Sequence, residues 1–169
     1  MAKNIMNEIF KDIIKQAETL SKLNEIVLEF GVLNNDEYIT VGVIHGDGTG
    51  TDYKISVDEI AYLAEYGTVS FPGTHILQQL FYEVEKRFEV KLDEITDNVF
   101  NGRWNLSEVD RVLNNFEIFI NDYISGRLAG YIKEMTYLAD KTKQPDLIDF
   151  PVDISLLKKY ISCKIYRKN

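Results

Sequence analysis

A chain of 169 residues that is 45% apolar has the length of one domain and enough apolar side chains to bury a real core. Its single cysteine, Cys163, excludes an internal disulfide, and no apolar run approaches the roughly 18 residues that read as a transmembrane helix. The formal net charge of −8 is unevenly spread and argues against nonspecific nucleic-acid binding through the main body.

From Asn24 to Asp122 there are 19 acidic and 6 basic side chains, net −13. Residues 1–23 carry +1 and residues 123–169 carry +4. An acidic middle beside basic ends permits head-to-tail electrostatic contact between subunits, or simply gives a solvated acidic surface. The opening Met1-Ala-Lys-Asn-Ile-Met-Asn-Glu has no signal-peptide core, so synthesis in a cytoplasm is expected.

Residues 3–23 predict a helix. Ile5, Ile9, Phe10, Ile13, Ala17, Leu20 and Leu23 recur at three- and four-residue spacing, and lysines fill the other face. Glu25-Ile-Val-Leu-Glu-Phe-Gly-Val-Leu and Tyr38-Ile-Thr-Val-Gly-Val-Ile flank the turn-forming Asn34-Asn-Asp-Glu, which predicts a hairpin. Gly46-Asp-Gly-Thr-Gly-Thr-Asp is a loop by composition. Ser56 with Glu59 forms a capping box for a short helix whose apolar stripe is Ile60, Leu63 and Ala64. Gly67 suits the left-handed position that ends it.

A long helix is expected from Pro72 to the stop at Asn101-Gly102, and a second from about Ser107 through Met135. In the second, Gly126 and Gly130 lie four apart. They either allow a close backbone approach or are weak points costing about 1 kcal/mol each. Thr142-Lys-Gln-Pro-Asp breaks the pattern, Ile154 to Leu157 reads as one helical turn, and Tyr160 to Arg167 alternates as a half-buried strand. Ile161, Cys163 and Ile165 share one of its faces.

Catalytic patterns are weak. The loop 46–52 lacks the Gly-Lys-Ser/Thr ending of a P-loop, and Asp47 and Asp52 do not fit the EF-hand spacing. His45, His75 and Cys163 show no metal-ligand spacing. The acidic pairs Glu83/Glu85 and Asp93/Glu94 do not converge on a helix. No catalytic residue, cofactor or metal is assigned, and the chain is read as a non-enzyme. A small hydrolase would need a nucleophile–base pair that these residues do not supply.

Three blocks in order carry a family resemblance. Ile39-Thr-Val-Gly-Val-Ile-His-Gly looks like a valine-glycine-valine strand. Ile60-Ala-Tyr-Leu-Ala-Glu-Tyr-Gly-Thr followed by Ser70-Phe-Pro is similar to an A-x-x-x-E-[FY]-G-T … I-P-A-R-P-F-L block. Asp146-Leu-Ile-Asp with Leu157 and Tyr160-Ile-Ser-Cys-Lys-Ile looks like an L-I-D-T-G-x-L-x-x-S-I-x-Y ending. Together they resemble the tail-completion, or virion-morphogenesis, proteins of tailed bacteriophages, also called minor tail or head–tail joining proteins. The resemblance covers residues 38–167. It departs from the pattern at Gly73-Thr74-His75, where the family has Arg-Pro-Phe, and at Phe150-Pro151, where it has Thr-Gly.

The resemblance implies a single α+β domain over 1–169. A small antiparallel sheet would join the 38–44 strand to the C-terminal strand, with the N-terminal helix and two long helices packed on it. Gly42, Glu65, Asp149, Leu157 and Ile161 would be its structural motif residues. It further implies a structural subunit of the phage neck, forming a ring with copies of itself, often sixfold, beside other neck and tail-terminator proteins. The location would be the virion, without a membrane, and close to channel DNA that an acidic body would keep from sticking. Candidate interface residues are Asp47, Thr49 and Asp52 of the loop 46–56, and Tyr66, Gly67, Phe71 and Pro72 of the following turn. Lys164 and Arg167 of the charged C-terminal tail complete the set. The alternative is a small acidic inhibitor or immunity protein that blocks a basic site on a partner.

Overall fold

The computed structural model describes residues 2–33, 38–44, 49–67, 73–142 and 157–168. The elements are α1 (Ala2–Leu23), β1 (Ile26–Val32), β2 (Tyr38–Ile44), β3 (Gly50–Ser56), α2 (Val57–Tyr66), α3 (Ile76–Phe100), α4 (Leu106–Thr142), α5 (Leu157–Tyr160) and β4 (Ile161–Arg167). Helix and strand are mixed along the chain, an α+β protein. Two compact units are built from interleaved segments. One holds Met1–Glu29, Glu83–Ile120 and Lys164–Asn169, and the other Phe30–Tyr82 and Asn121–Cys163.

Strand pairing departs from the sequence expectation. β2 pairs antiparallel with β3, from Tyr38 opposite Ser56 to Ile44 opposite Gly50, while β1 pairs with β4. The Glu25–Leu33 run therefore does not form a hairpin with 38–44, and 38–44 does not join the C-terminal strand. Among the described residues there are two two-stranded sheets. Residues 50–56, expected as loop, are a strand: Thr51, Tyr53 and Ile55 alternate with Asp52 and Lys54 at period two. The turn Asn34–Glu37 and the glycines of 46–48 lie outside the described residues.

In the first unit, the hairpin of α3 and α4 supplies most of the core. Val84, Phe88, Ile95 and Val99 of α3 and Val109, Leu113, Phe116 and Ile120 of α4 are buried at helical spacing. Phe88 and Phe116 stack with ring centroids 6.4 Å apart. Gly102 ends α3 at φ +68, a conformation that favours glycine. Asn105 starts α4: its Oδ1 accepts the N–H groups of Ser107 (2.9 Å) and Glu108 (3.2 Å), and the Glu108 carboxylate accepts the Asn105 N–H at 2.8 Å.

α1 forms as the spacing predicts, and Leu20 and Leu23 of its expected stripe are half-buried together with Gln16. Among its described side chains Thr19 is the buried one, its hydroxyl satisfied by Lys15 O at 2.9 Å. Ile13 and Ala17, counted in the expected apolar stripe, are exposed. On α4, Gly126 and Gly130 are exposed too, and a Cβ on either would meet nothing within 4 Å, so they mediate no close approach among the described residues.

In the second unit, Val57, Ile60, Ala61 and Ala64 of α2, Ile76 and Leu80 of α3, and Ile124 and Leu128 of α4 are buried. Leu157, Ile161 and Cys163 complete that core. β4 has the alternation expected of it, with Ile161, Cys163 and Ile165 buried.

Candidate partner-binding surface

α2 is held at both ends. At its start, the Ser56 hydroxyl accepts the Glu59 N–H at 3.2 Å and the Glu59 carboxylate accepts the Ser56 N–H at 2.8 Å, the capping box read from the sequence. At its end, Gly67 donates its N–H to Leu63 O at 2.8 Å. Gly67 takes φ +80 with ψ −170, so it uses glycine's freedom but not the left-handed helical conformation expected of it.

The segment 73–78 folds back onto that end. The Thr74 N–H and hydroxyl both donate to Ala64 O, at 2.9 and 2.7 Å, and the His75 N–H donates to Glu65 O at 3.2 Å. These bonds satisfy carbonyls that a helix C-terminus leaves unpaired. They also explain why α3 begins at Ile76 rather than near Pro72, since 73–75 are committed to α2. Gly73 is required here: a Cβ would lie 2.8 Å from Tyr66 Cα and about as close to other backbone atoms of that turn.

Glu65 is buried, and its carboxylate accepts the N–H groups of Leu77 (2.8 Å) and Gln78 (3.3 Å) in the first turn of α3. A carboxylate at a helix N-terminus meets both unpaired donors and the positive end of the dipole. The His75 Nδ1 lies 3.7 Å from Glu65 Oε1. His75 is also the non-glycine residue with positive φ, +54, among the described residues.

Facing outward from this clamp is an aromatic strip. Asp58, Tyr62 and Tyr66 stand four residues apart on α2, which places them on one face. Tyr62 and Tyr66 are 63% and 62% exposed, with ring centroids 4.7 Å apart. His75 meets Tyr66 edge-on at 6.3 Å. Two rings in tilted contact, a carboxylate and an imidazole make a surface suited to gripping a protein partner by aromatic contact. It is not a hydrolytic dyad: the Glu65 oxygens are engaged by backbone donors, and Cys163 is buried in β4.

The sequence-predicted residues sort as follows. Tyr66 and Gly67 belong to this surface and Glu65 to its support. Thr49 and Asp52 are exposed at β3, where Asp52 sits opposite Gly42 of β2. Leu157 and Ile161 are buried. Asp47, Phe71, Pro72 and Asp149 lie outside the described residues. Lys164 and Arg167 belong to a paired strand instead of a tail. Arg167 Nη2 bonds Asp110 Oδ2 at 2.8 Å beside a groove of about 570 Å³, and Lys164 Nζ lies 5.8 Å over the Tyr166 ring. Asp58, Tyr62 and His75 were missed as surface residues, although the four-residue spacing from Asp58 to Tyr66 is visible in the sequence.

Among the described residues, no cluster of three or more histidine, cysteine or carboxylate side chains is arranged to hold a metal ion, and no helix is long and apolar enough to cross a membrane. Set against family models, curated proteins and solved structures, the chain gives no match in any of the three.

Proposed function

We propose that this protein is a non-enzymatic structural subunit of a tailed-phage neck, completing the head-proximal end of the tail and joining tail to head. The reading rests on the resemblance of the three sequence blocks. The observation that carries it furthest is the division of labour inside the second block. Glu65 is spent on holding α2 to α3, which leaves Tyr62 and Tyr66 outward as a preformed contact surface. A catalytic protein would aim polar groups into a cleft; here the aromatic groups face solvent on a helix fixed at both ends.

The test is a nonsense mutation of the gene in a phage that carries it, with lysates viewed by negative-stain electron microscopy. Filled heads beside detached tails are the expected result. Intact infectious virions would overturn the reading and bring the acidic inhibitor forward.

A further inference from the structure

In the first unit, α1 and α3 each present an outer face whose net charge is opposite in sign to the other's. On α3, Glu85, Glu89, Asp93 and Asp97 recur every four residues, and all are exposed, with the exposed Lys86 on the same face. Among the described residues, no ion pair or side-chain hydrogen bond engages any of the four carboxylates. Val90 and Phe100 lie among them and are 64% and 71% exposed. On α1, Lys11, Lys15 and Lys22 line one exposed flank that also carries the exposed Glu18, no ion pair among the described residues engages the three lysines, and Ile14 beside them is 57% exposed. Ile14 lies opposite the packed face of Gln16, Thr19 and Leu23.

We propose that these faces dock in trans: the lysine flank of α1 in one copy lies along the acidic row of α3 in a second copy. Both faces are open to solvent in the single chain, so they do not satisfy each other there. Their lengths match. At 1.5 Å per residue, Lys11 to Lys22 spans about 16 Å and Glu85 to Asp97 about 18 Å. Their net charges match as well, three lysines with Glu18 facing four carboxylates with Lys86 around a seam of Ile14, Val90 and Phe100. Flanking charges of this kind set partner and register in helix pairs, while the apolar seam supplies the burial. The contact deepens the ring reading by naming the faces through which copies would meet, yet it stands without the virion.

The experiment is sedimentation velocity on the full chain across concentration and salt, with two charge-reversed variants. One is Lys11→Glu/Lys15→Glu/Lys22→Glu and the other Glu85→Lys/Glu89→Lys/Asp93→Lys. The wild type should self-associate, with a dissociation constant that rises at least about tenfold between low and high salt as the charges are screened. Each variant alone should sediment as a monomer, with circular dichroism showing that it remains folded. Mixed in equal amounts, the two should associate again, because each reversed face now meets its complement. Should either variant fail to fold, Ile14→Asp and Val90→Asp take its place, and each is expected to weaken association at least tenfold. A wild type that is monomeric throughout, or variants that associate like the wild type, would overturn the proposal. Virions that form without the gene would sink the neck reading and leave this contact standing.

Discussion

Asn121 brackets the backbone of Cys163. Its Nδ2 donates to Cys163 O at 2.9 Å, and its Oδ1 accepts the Cys163 N–H at 2.8 Å, so one side-chain amide from α4 does for β4 what a neighbouring strand would do. One step along, the Glu117 carboxylate accepts the Ile165 N–H at 2.6 Å. The edge of β4 away from β1 is thereby closed to other strands at these positions.

Replacing Asn121 with Leu leaves a half-buried donor and acceptor unpaired. It is expected to cost about 1–3 kcal/mol, read as a lower urea midpoint at unchanged slope. A loss under half a kcal/mol would mean that water replaces the amide.

Glu65→Ala removes the acceptor for two N–H groups at the start of α3. By analogy with other helix caps it should cost about 0.5–2 kcal/mol. Glu65→Gln keeps an acceptor oxygen but not the charge and should fall between wild type and Ala in thermal melts.

Gly73→Ala places a methyl group against the backbone of Glu65 and Tyr66, which cannot yield as a side-chain tip would. Overpacking of this kind costs about 1–3 kcal/mol. The change should also detach the 73–75 segment, seen as faster amide exchange at Thr74 and His75.

Tyr62→Ala/Tyr66→Ala touches only exposed rings. Stability should stay within about 0.5 kcal/mol of wild type, while the proposed head–tail joining should fail when this variant, in place of the wild type, is supplied to the phage carrying the nonsense mutation. Normal joining with this double variant would remove the aromatic strip from the proposed function.

Tyr166 donates its hydroxyl to Glu29 at 2.5 Å, and its pKa is raised above the usual phenol value, first by that hydrogen bond, then by burial and by the Glu29 charge. A phenol with a raised folded-state pKa lends stability that is fully present below its unfolded pKa and is lost as pH rises through the folded one. The difference in 295 nm titration between wild type and Tyr166→Phe should therefore have its midpoint above 10.0. Glu29→Gln should move that midpoint down.

Local signals were legible in the chain. The Ser56–Glu59 box, the glycine stop at Gly102 and the alternation from Ile161 to Ile165 each act within a few residues, and each forms as expected. What failed depended on distant partners. Nothing in Glu25–Leu33 says that it pairs with β4 and not with β2. The polar Asp52 and Lys54 together with the glycines hid β3. Thr19, the buried residue among the described side chains of α1, is one that hydropathy does not place inside and that becomes buriable once its hydroxyl bonds Lys15 O. Of the candidate surface, Tyr66 and Gly67 were legible from a motif. Tyr62 and His75 were not, because exposure depends on which side of α2 the chain later covers.

The pairing of β1 with β4 also sets an order of events during synthesis. Glu29 and Tyr166, bonded across these strands, are 137 positions apart. β1 leaves the ribosome well before its partner, since the two strands are separated by this length of chain. At roughly 5–20 residues per second, β1 waits on the order of ten seconds with an unpaired edge. Over that interval the helical hairpin of α3 and α4 can form from local contacts alone, and strand closure comes last as a slow, long-range step. A chain in which β4 has not yet been made keeps β1 open to pairing with other chains, so the interval between the two strands is the one in which misassembly is favoured.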